Sequence, residues 1–500
     1  MNPFIYPREL EAHEIVGRQA DLRYILGRLA NRQSVAVVGL PQMGKTSVLS
    51  ALEGAENAAP DSLLFSYANA QALRGLQTQA QFWQQVLQPI TSLFLERTPE
   101  TSPESSRSQS QLLDMLVEQF NDGELRTLCV RLTVDFERLP GSGTEDKARE
   151  LVLYQQRRGG LVALETEIVR VRPHNRVAEP IAADSLRGVY ETAVSNNFGT
   201  FVLEQLFRQL HAGGRRLVLL LDEFDDFLAN EALHTAEFYG GLRALASRSP
   251  GLVVVIAARQ ELETLNRLTQ EINPHGSPYF NVFTERRLGL LTLKALGTLL
   301  DRAGERFNQD DRRFVRQLSG GHPYLAQVAA FELWEIDEEG IEGEARYRQA
   351  SEAFYDQTRA HFRSNWAVMT DDERKAITAV ALLQMPGLIN GRSFHVGRLT
   401  QHLSDYTPEL DKLRRSGLVK RQDNTWIIPQ AGFLWWLADE MWRTVRDEDS
   451  FTAWLQRQAL DGVFTRGERA WMGEAATNVA EVVDKGVVAI IEAFAKSLAG

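Results

Sequence analysis

The stretch Gly39-Leu40-Pro41-Gln42-Met43-Gly44-Lys45-Thr46 has the composition of a loop that cradles phosphate. Gly39 and Gly44 let the backbone curl until its N–H groups point at β- and γ-phosphates. A helix starting at Lys45 adds its positive N-terminal end. Lys45 supplies a point charge, and the Thr46 hydroxyl is placed for Mg²⁺. Pro41, Gln42, Met43 and Ser47 complete the expected nucleotide contacts. A second chemical element is Leu217-Val218-Leu219-Leu220-Leu221-Asp222-Glu223, an apolar run ending in two carboxylates. Asp222 is suited to hold the metal through its water shell, and Glu223 to orient or deprotonate an attacking water. A site that binds without hydrolysing has no need of that second carboxylate. Arg259 directly follows the apolar run 252–258. In a parallel sheet the carboxyl end of that strand faces the same crevice as the loop. Arg259 is thereby placed to sense a γ-phosphate, although an ordinary surface arginine fits the same spacing. Arg286 and Arg287, at the expected start of a fifth strand, are candidates to reach a neighbouring subunit's nucleotide.

These groups need a scaffold, and the pattern around them supplies one. Leu22, Ile25, Leu26 and Leu29 form one face of an expected helix over 20–32, and Ser34–Val38 reads as a buried strand leading into the loop. A second strand is expected at 63–67 and a helix over 79–96. The polar, Pro- and Ser-rich stretch 97–110 reads as a linker, and 172–176, with Pro180 beyond, as a second break. Between them Leu112, Leu113, Leu116, Val117, Phe120, Leu125, Leu128, Leu132, Leu151, Val152, Tyr154, Leu161, Leu164 and Ile168 recur at helical spacing, which predicts a small helical domain. The α/β pattern then resumes, with helices near 199–211 and 233–247, strands at 217–221 and 252–257, and a fifth strand expected at 286–291. Lys45 and Asp222 thus stand much farther apart than the ~100 residues usual in a compact domain, because a domain interrupts the core.

Five hundred residues exceed one core. A net charge of −11 argues against general coating of nucleic acid. One cysteine, Cys129, excludes an intramolecular disulfide and a cysteine-rich zinc site. No signal-peptide pattern opens the chain and no run of ~18 uncharged apolar residues occurs, so a cytoplasmic protein is expected.

Two further motifs carry a family resemblance. Glu14-Ile15-Val16-Gly17-Arg18-Gln19-Ala20-Asp21-Leu22 resembles the lead-in of AAA+-related STAND ATPases and archaeal origin-type ATPases, with Asp21 in place of the usual glutamate. Gly320-Gly321-His322-Pro323-Tyr324-Leu325 resembles the Gly-x-Pro motif of their helical lid. The resemblance implies that Pro323 packs on an adenine, that backbone near Val16 and Gly17 faces it from the other side, and that Arg259 is the sensor arginine. It makes ATP more fitting than GTP, and no Asn/Thr-Lys-x-Asp element for reading guanine is present. A proline at the first turn of any helix is the simpler account of Pro323. Farther on, Thr370 and Glu373 form an expected capping box. A helix at 408–415 and two strands around Gln422-Asp423-Asn424 then suggest a winged helix. Its Lys412, Arg414, Arg415, Lys420 and Arg421 are candidates for DNA phosphate contacts, but Glu409 and Asp411 oppose that, and gating of the nucleotide ranks ahead of DNA binding.

The segments Glu124–Cys129, Val134–Gly141, Lys147–Val152, Arg157–Gly159 and Arg170–Pro173 resemble the first class of bacterial effector-associated domains, small death-like bundles that pair with like domains. The expected fold is an α/β P-loop NTPase core with a parallel sheet, a helical lid, a winged helix and an inserted all-α death-like domain. Its parts are core at 1–98, insert at 106–178, core again at 179–291, lid at 292–362, winged helix at 363–445 and a helical tail at 446–500. The tail carries an amphipathic pattern from Val479 to Leu498 suited to core packing or self-association. The expected function is a STAND-type switch using ATP and Mg²⁺, oligomeric when active, that recruits an effector through the insert in a prokaryotic defence system. The alternatives are a DNA-binding AAA+ ATPase and a nucleotide-bound scaffold without turnover.

Overall fold

The valine-rich run Val35–Val38 is buried on both faces and forms β1 of a five-stranded parallel sheet. The computed structural model describes residues 12–54, 63–95, most of 112–168, 183–384 and 403–444, together with a few near each end. The expected linker at 97–110, the break at 172–176, the closing Arg170–Pro173 of the insert and the amphipathic tail at 479–498 lie outside the described residues.

The elements follow in chain order as α1 (Gln19–Ala30), β1, α2 (Lys45–Gly54), β2 (Leu63–Asn69), α3 (Gln79–Val86) and α4 (Gln88–Leu95). Then come α5 (Asp122–Arg131), α6 (Thr144–Arg157), α7 (Ala183–Ser195), α8 (Thr200–Ala212), β3 (Arg216–Asp222), α9 (Ala236–Arg248), β4 (Leu252–Ala258), α10 (Leu262–Gln270) and β5 (Thr284–Arg287). The remainder comprises α11 (Leu293–Leu300), α12 (Gln309–Ser319), α13 (Pro323–Glu338), α14 (Gly343–Ala367), α15 (Asp371–Gln384), α16 (Thr407–Ser416), β6 (Lys420–Gln422), β7 (Thr425–Ile427) and α17 (Ala431–Thr444). The chain divides into two compact units, one from residues 1–86 and 215–500, the other from 87–214.

In the first unit the strand order is β2-β3-β4-β1-β5, all parallel. Val38 is in register with Ala258 and Arg287, and Asn69 with Asp222. The register brings every chain segment that leaves the sheet with a candidate group to one edge. α1 buries Ile25 and Leu29 on that sheet, with Leu22 and Leu26 packed beside them. The fifth strand differs from expectation: it runs Thr284–Arg287, so Arg286 and Arg287 end it rather than start it. The apolar run that follows is buried as a connection instead. Leu288 packs in the sheet core and Leu291 donates its N–H to Gly321 O at 2.8 Å. A short apolar run without periodicity does not distinguish a strand from a buried linker.

A second core joins α11 to α17, from Leu296 and Leu299 through Phe314, Leu325 and Phe354 to Phe433 and Trp436. The capping box at Thr370 and Glu373 forms in both directions. β6 and β7 pair antiparallel through Asp423 and Asn424, both at positive φ, the backbone of a two-residue hairpin.

In the second unit the insert has a continuous apolar core of Leu112, Leu116, Phe120, Leu125, Leu128, Cys129, Phe136, Leu151, Val152, Leu164 and Ile168, as the helical spacing predicts. Val117 is the exception and faces solvent. α5 opens on an Asn121/Glu124 capping box.

Candidate functional site

The phosphate loop is a tight turn fastened at several points. Gly39 N–H donates to Ala258 O at 3.2 Å, and an added Cβ at Gly39 would come within 3.2 Å of Leu288 O. Gln42 and Gly44 take positive φ, a conformation that strains any residue but glycine. Arg18 is buried and donates from Nη2 to Met43 O at 2.9 Å and to Gly289 O at 2.8 Å. It is paired with Asp21 at 3.6 Å, and Asp21 with Arg286 at 2.6 Å. The residue that departs from the lead-in pattern therefore carries a structural ion pair.

Lys45 is buried, and its Nζ donates to Gly39 O at 3.0 Å and Leu40 O at 3.1 Å. Burial lowers its pKa, and Glu223, Asp225 and Asp222 oppose that by favouring the ammonium. Burial raises the pKa of Glu223, with Lys45 and Arg259 opposing. The two groups that would handle charge and proton thus stabilise each other's ionised forms in a partly dry setting. Glu223 sits at φ 48°, ψ 44°, left-handed for a residue with a side chain. Such strain costs on the order of 1–3 kcal/mol and clusters at functional sites.

Asp222 is fully buried at the end of β3. Its Oδ2 accepts from the Tyr67 hydroxyl at 2.9 Å and its Oδ1 from the Glu223 N–H at 2.9 Å. Tyr67 was not foreseen: its signal is pairing of β2 with β3, which emerges only when the sheet is assembled.

Val16, Gln42, Gly44, Lys45, Thr46, Ser47, Glu223 and Pro323 line one cleft of about 260 Å³. Tyr6, Leu10, Leu291, Leu299, Tyr324 and Gln327 complete it, and none of these was among the predicted site residues. The apolar end carries Val16, Leu291 and Pro323, and the polar end the loop and Glu223. Pro323 opens α13 beneath the N-cap His322, whose ring accepts from Leu325 N–H and lies 5.0 Å from His361 edge-on. The remaining predicted residues stand outside the lining. Gly17 faces Ala295 and Leu291 so closely that a Cβ would meet them at 2.7 and 2.8 Å. Pro41 is half-buried, and the Met43 side chain belongs to the sheet core, leaving only its backbone for a ligand.

Arg259 stands beside Glu223 but does not line the cleft. Its Nη2 is 3.0 Å from Asp226, and its Nε 3.7 Å from both Glu223 and Asp225. Arg286 and Arg287 are likewise committed within the chain, Arg287 to Glu261 at 2.6 Å and Glu285 at 2.8 Å. Spacing located these arginines and missed the carboxylates that hold them.

A metal is tested by the donor set. The Thr46 hydroxyl and Asp222 carboxylate are hard oxygen donors suited to Mg²⁺. Among the described residues no group of three or more His, Cys, Asp or Glu gathers to hold a metal. Mg²⁺ at nucleotide sites takes most of its ligands from phosphate and water, so these two residues fit it. No described helix is long and apolar enough to cross a membrane.

Residues 174–385 match the family model of novel STAND NTPase 2, which takes in β3, Glu223, Arg259 and Pro323. Residues 112–173 match effector-associated domain 7. The effector-associated character stands, and its class is the seventh rather than the first. Leucine spacing with flanking charges marks a small helical bundle but does not separate its classes. No curated protein matches the chain. Among solved structures, the Walker-type ATPase of Pyrococcus abyssi is similar at 12% identity, over 87% of this chain and 99% of that one, with a TM-score of 0.44. The Aeropyrum pernix ORC2 protein is similar at 12%, over 87% and 97%, with a TM-score of 0.41. A STAND protein with a tetratricopeptide repeat sensor from Pyrococcus horikoshii is similar at 14%, over 95% and 50%, with a TM-score of 0.28. The family matches place a STAND NTPase region at residues 174–385 and an effector-associated domain at 112–173, which falls in the chain between β2 and β3 of a P-loop NTPase fold.

Proposed function

We propose that the chain is an ATP-binding and ATP-hydrolysing switch that recruits an effector through its inserted domain. The carrying observation is the single cleft lined by Lys45, Thr46 and Glu223 at one end and by Val16 and Pro323 at the other. In this reading the base lies between Val16 and Pro323 and the phosphates lie over the loop. Lys45 neutralises the β- and γ-oxygens, and Thr46 and Asp222 hold Mg²⁺, which supplies positive charge to the phosphates. Glu223 positions the attacking water and accepts its proton. ATP favours an oligomer-competent state and hydrolysis resets it. The insert then presents a row of adaptor domains to an effector, as in a prokaryotic defence response.

We read α15, α16 and the β6–β7 hairpin as a winged helix that gates the nucleotide. Three of its five candidate basic residues support gating over DNA binding, because they face carboxylates: Lys412 is 2.7 Å from Glu373, Arg414 3.2 Å from Asp411 and Arg415 4.0 Å from Glu261. Lys420 and Arg421 are exposed on β6. Titration calorimetry with ATP and Mg²⁺ tests the switch. Wild type binds and Lys45→Ala does not; equal binding by both overturns the reading. Capture of a partner by the full-length protein with ATP, and not with ADP, tests the recruitment.

A further inference from the structure

The firmest side-chain contact of Arg259 is with Asp226, which does not line the cleft. Its Nη2 donates to Asp226 Oδ1 at 3.0 Å, whereas its Nε stands 3.7 Å from Glu223 Oε2. Asp225 is occupied otherwise: its two oxygens accept the backbone N–H groups of Arg259 at 2.6 Å and Gln260 at 3.0 Å. Asp226 is buried and carries a second cation, Arg74, whose Nη2 donates to Oδ2 at 2.9 Å while most of that side chain stays in solvent, 63% exposed. One buried carboxylate therefore binds two guanidinium groups, one of them beside the candidate base.

We propose that Asp226 is a positioning residue that stores Arg259 outside the cleft, and that Arg74 makes its release toward a γ-phosphate possible. This exchange presupposes that the cleft takes a nucleoside triphosphate. A γ-phosphate carries more charge than a carboxylate and accepts a guanidinium through two oxygens, so it competes for Arg259. Moving Arg259 from a singly paired Asp226 would strand a buried anion, which is strongly unfavourable. Arg74 stays behind, and Asp226 remains paired throughout. A diphosphate offers no such competitor, so the exchange separates ATP from ADP. Departure of Arg259 also removes a cation from beside Glu223 and leaves that carboxylate to a water.

The test is titration calorimetry of the full-length protein with Mg²⁺ and either ADP or a non-hydrolysable ATP analogue. Asp226→Asn weakens the store and raises the affinity for the analogue relative to ADP by about 5-fold or more. Arg74→Ala makes the release harder and lowers the same ratio. Wild-type ratios in both variants, or shifts in the same direction, overturn the proposal. Arg74 is exposed, so its variant decides the matter if Asp226→Asn does not fold: an unchanged or higher ratio in Arg74→Ala overturns it alone. Wild-type protein that binds neither nucleotide overturns the reading of the cleft itself, and this proposal with it.

Discussion

The nucleotide-binding unit and the inserted domain handle charge in opposite ways. In the first, charged groups are buried and committed: Lys45 to loop carbonyls, Asp222 to Tyr67, Asp311 to Arg346 at 2.8 Å and to the Tyr347 hydroxyl at 2.8 Å. In the insert the core is apolar throughout, and the ion pairs lie in solvent, as between Arg149 and Glu145 at 3.5 Å or Arg126 and Asp122 at 3.1 Å. Its one buried ionisable side chain among those described in that core, Cys129, has its pKa pushed up to about 11 by burial and stays a neutral thiol. Buried charge is expensive and persists where geometry must be held for chemistry. Exposed charge on an apolar bundle costs little and suits a surface that recognises other surfaces. The contrast agrees with the proposed division, in which one unit handles the nucleotide and the other meets a partner.

The contrast breaks first, and most visibly, at Glu223. Glu223→Gln is expected to retain ATP binding and lower turnover by about 10²–10⁴-fold; a turnover assay with unchanged rate would remove the reason for a half-buried carboxylate there. Next is Asp311→Ala, which removes the fully buried of the two carboxylates on Arg346 and leaves Asp337 at 3.2 Å; it should cost about 3 kcal/mol in denaturant unfolding. Leu151→Ala opens a cavity in the insert instead and should cost about 2–5 kcal/mol through lost packing, with no pH dependence of its own. Acid sharpens the same distinction. Burial holds the His361 imidazole down to about 4, below its ordinary 6.5. Its neutral form is favoured in the folded state, so the stability it supports is complete above pH 6.5. That stability falls away as pH drops toward 4, by about 3 kcal/mol in total. His361→Gln should reduce the slope of unfolding free energy across that window, the buried His322 beside it contributing the remainder in the same direction; an unchanged slope would place the acid sensitivity elsewhere. The smallest effect is expected at Arg149→Ala, an exposed pair worth about 0–0.5 kcal/mol, below what a thermal melt resolves.

How much was legible varies by residue. The loop from Gly39 to Thr46 was readable because glycine placement and a flanking strand are local properties of the backbone. Asp222 and Glu223 were readable because an apolar strand announces where it ends. The fifth strand was placed two residues late, since the apolar run after it continues past the paired residues: Leu288 packs in the sheet core and Leu291 bonds to Gly321. Met43 was a contact candidate by position, yet its side chain fills the sheet core. Arg259 was read as facing a phosphate, and its carboxylate partners were missed although Asp225 and Asp226 follow Glu223 directly. Which neighbour takes an arginine depends on side-chain directions that no spacing encodes.

The sequence alone determined that a phosphate loop and an acidic strand share a core interrupted by a helical domain. Those features arise from local backbone preference and hydrophobic periodicity, which act over a few residues at a time. Only the tertiary structure decided that Tyr67 holds Asp222, that Tyr6, Tyr324 and Gln327 help to wall the cleft, and that Asp226 bridges Arg74 and Arg259. Those contacts join segments distant in the chain, and their strength follows from distance and burial, which exist only once the sheet and its lid have packed.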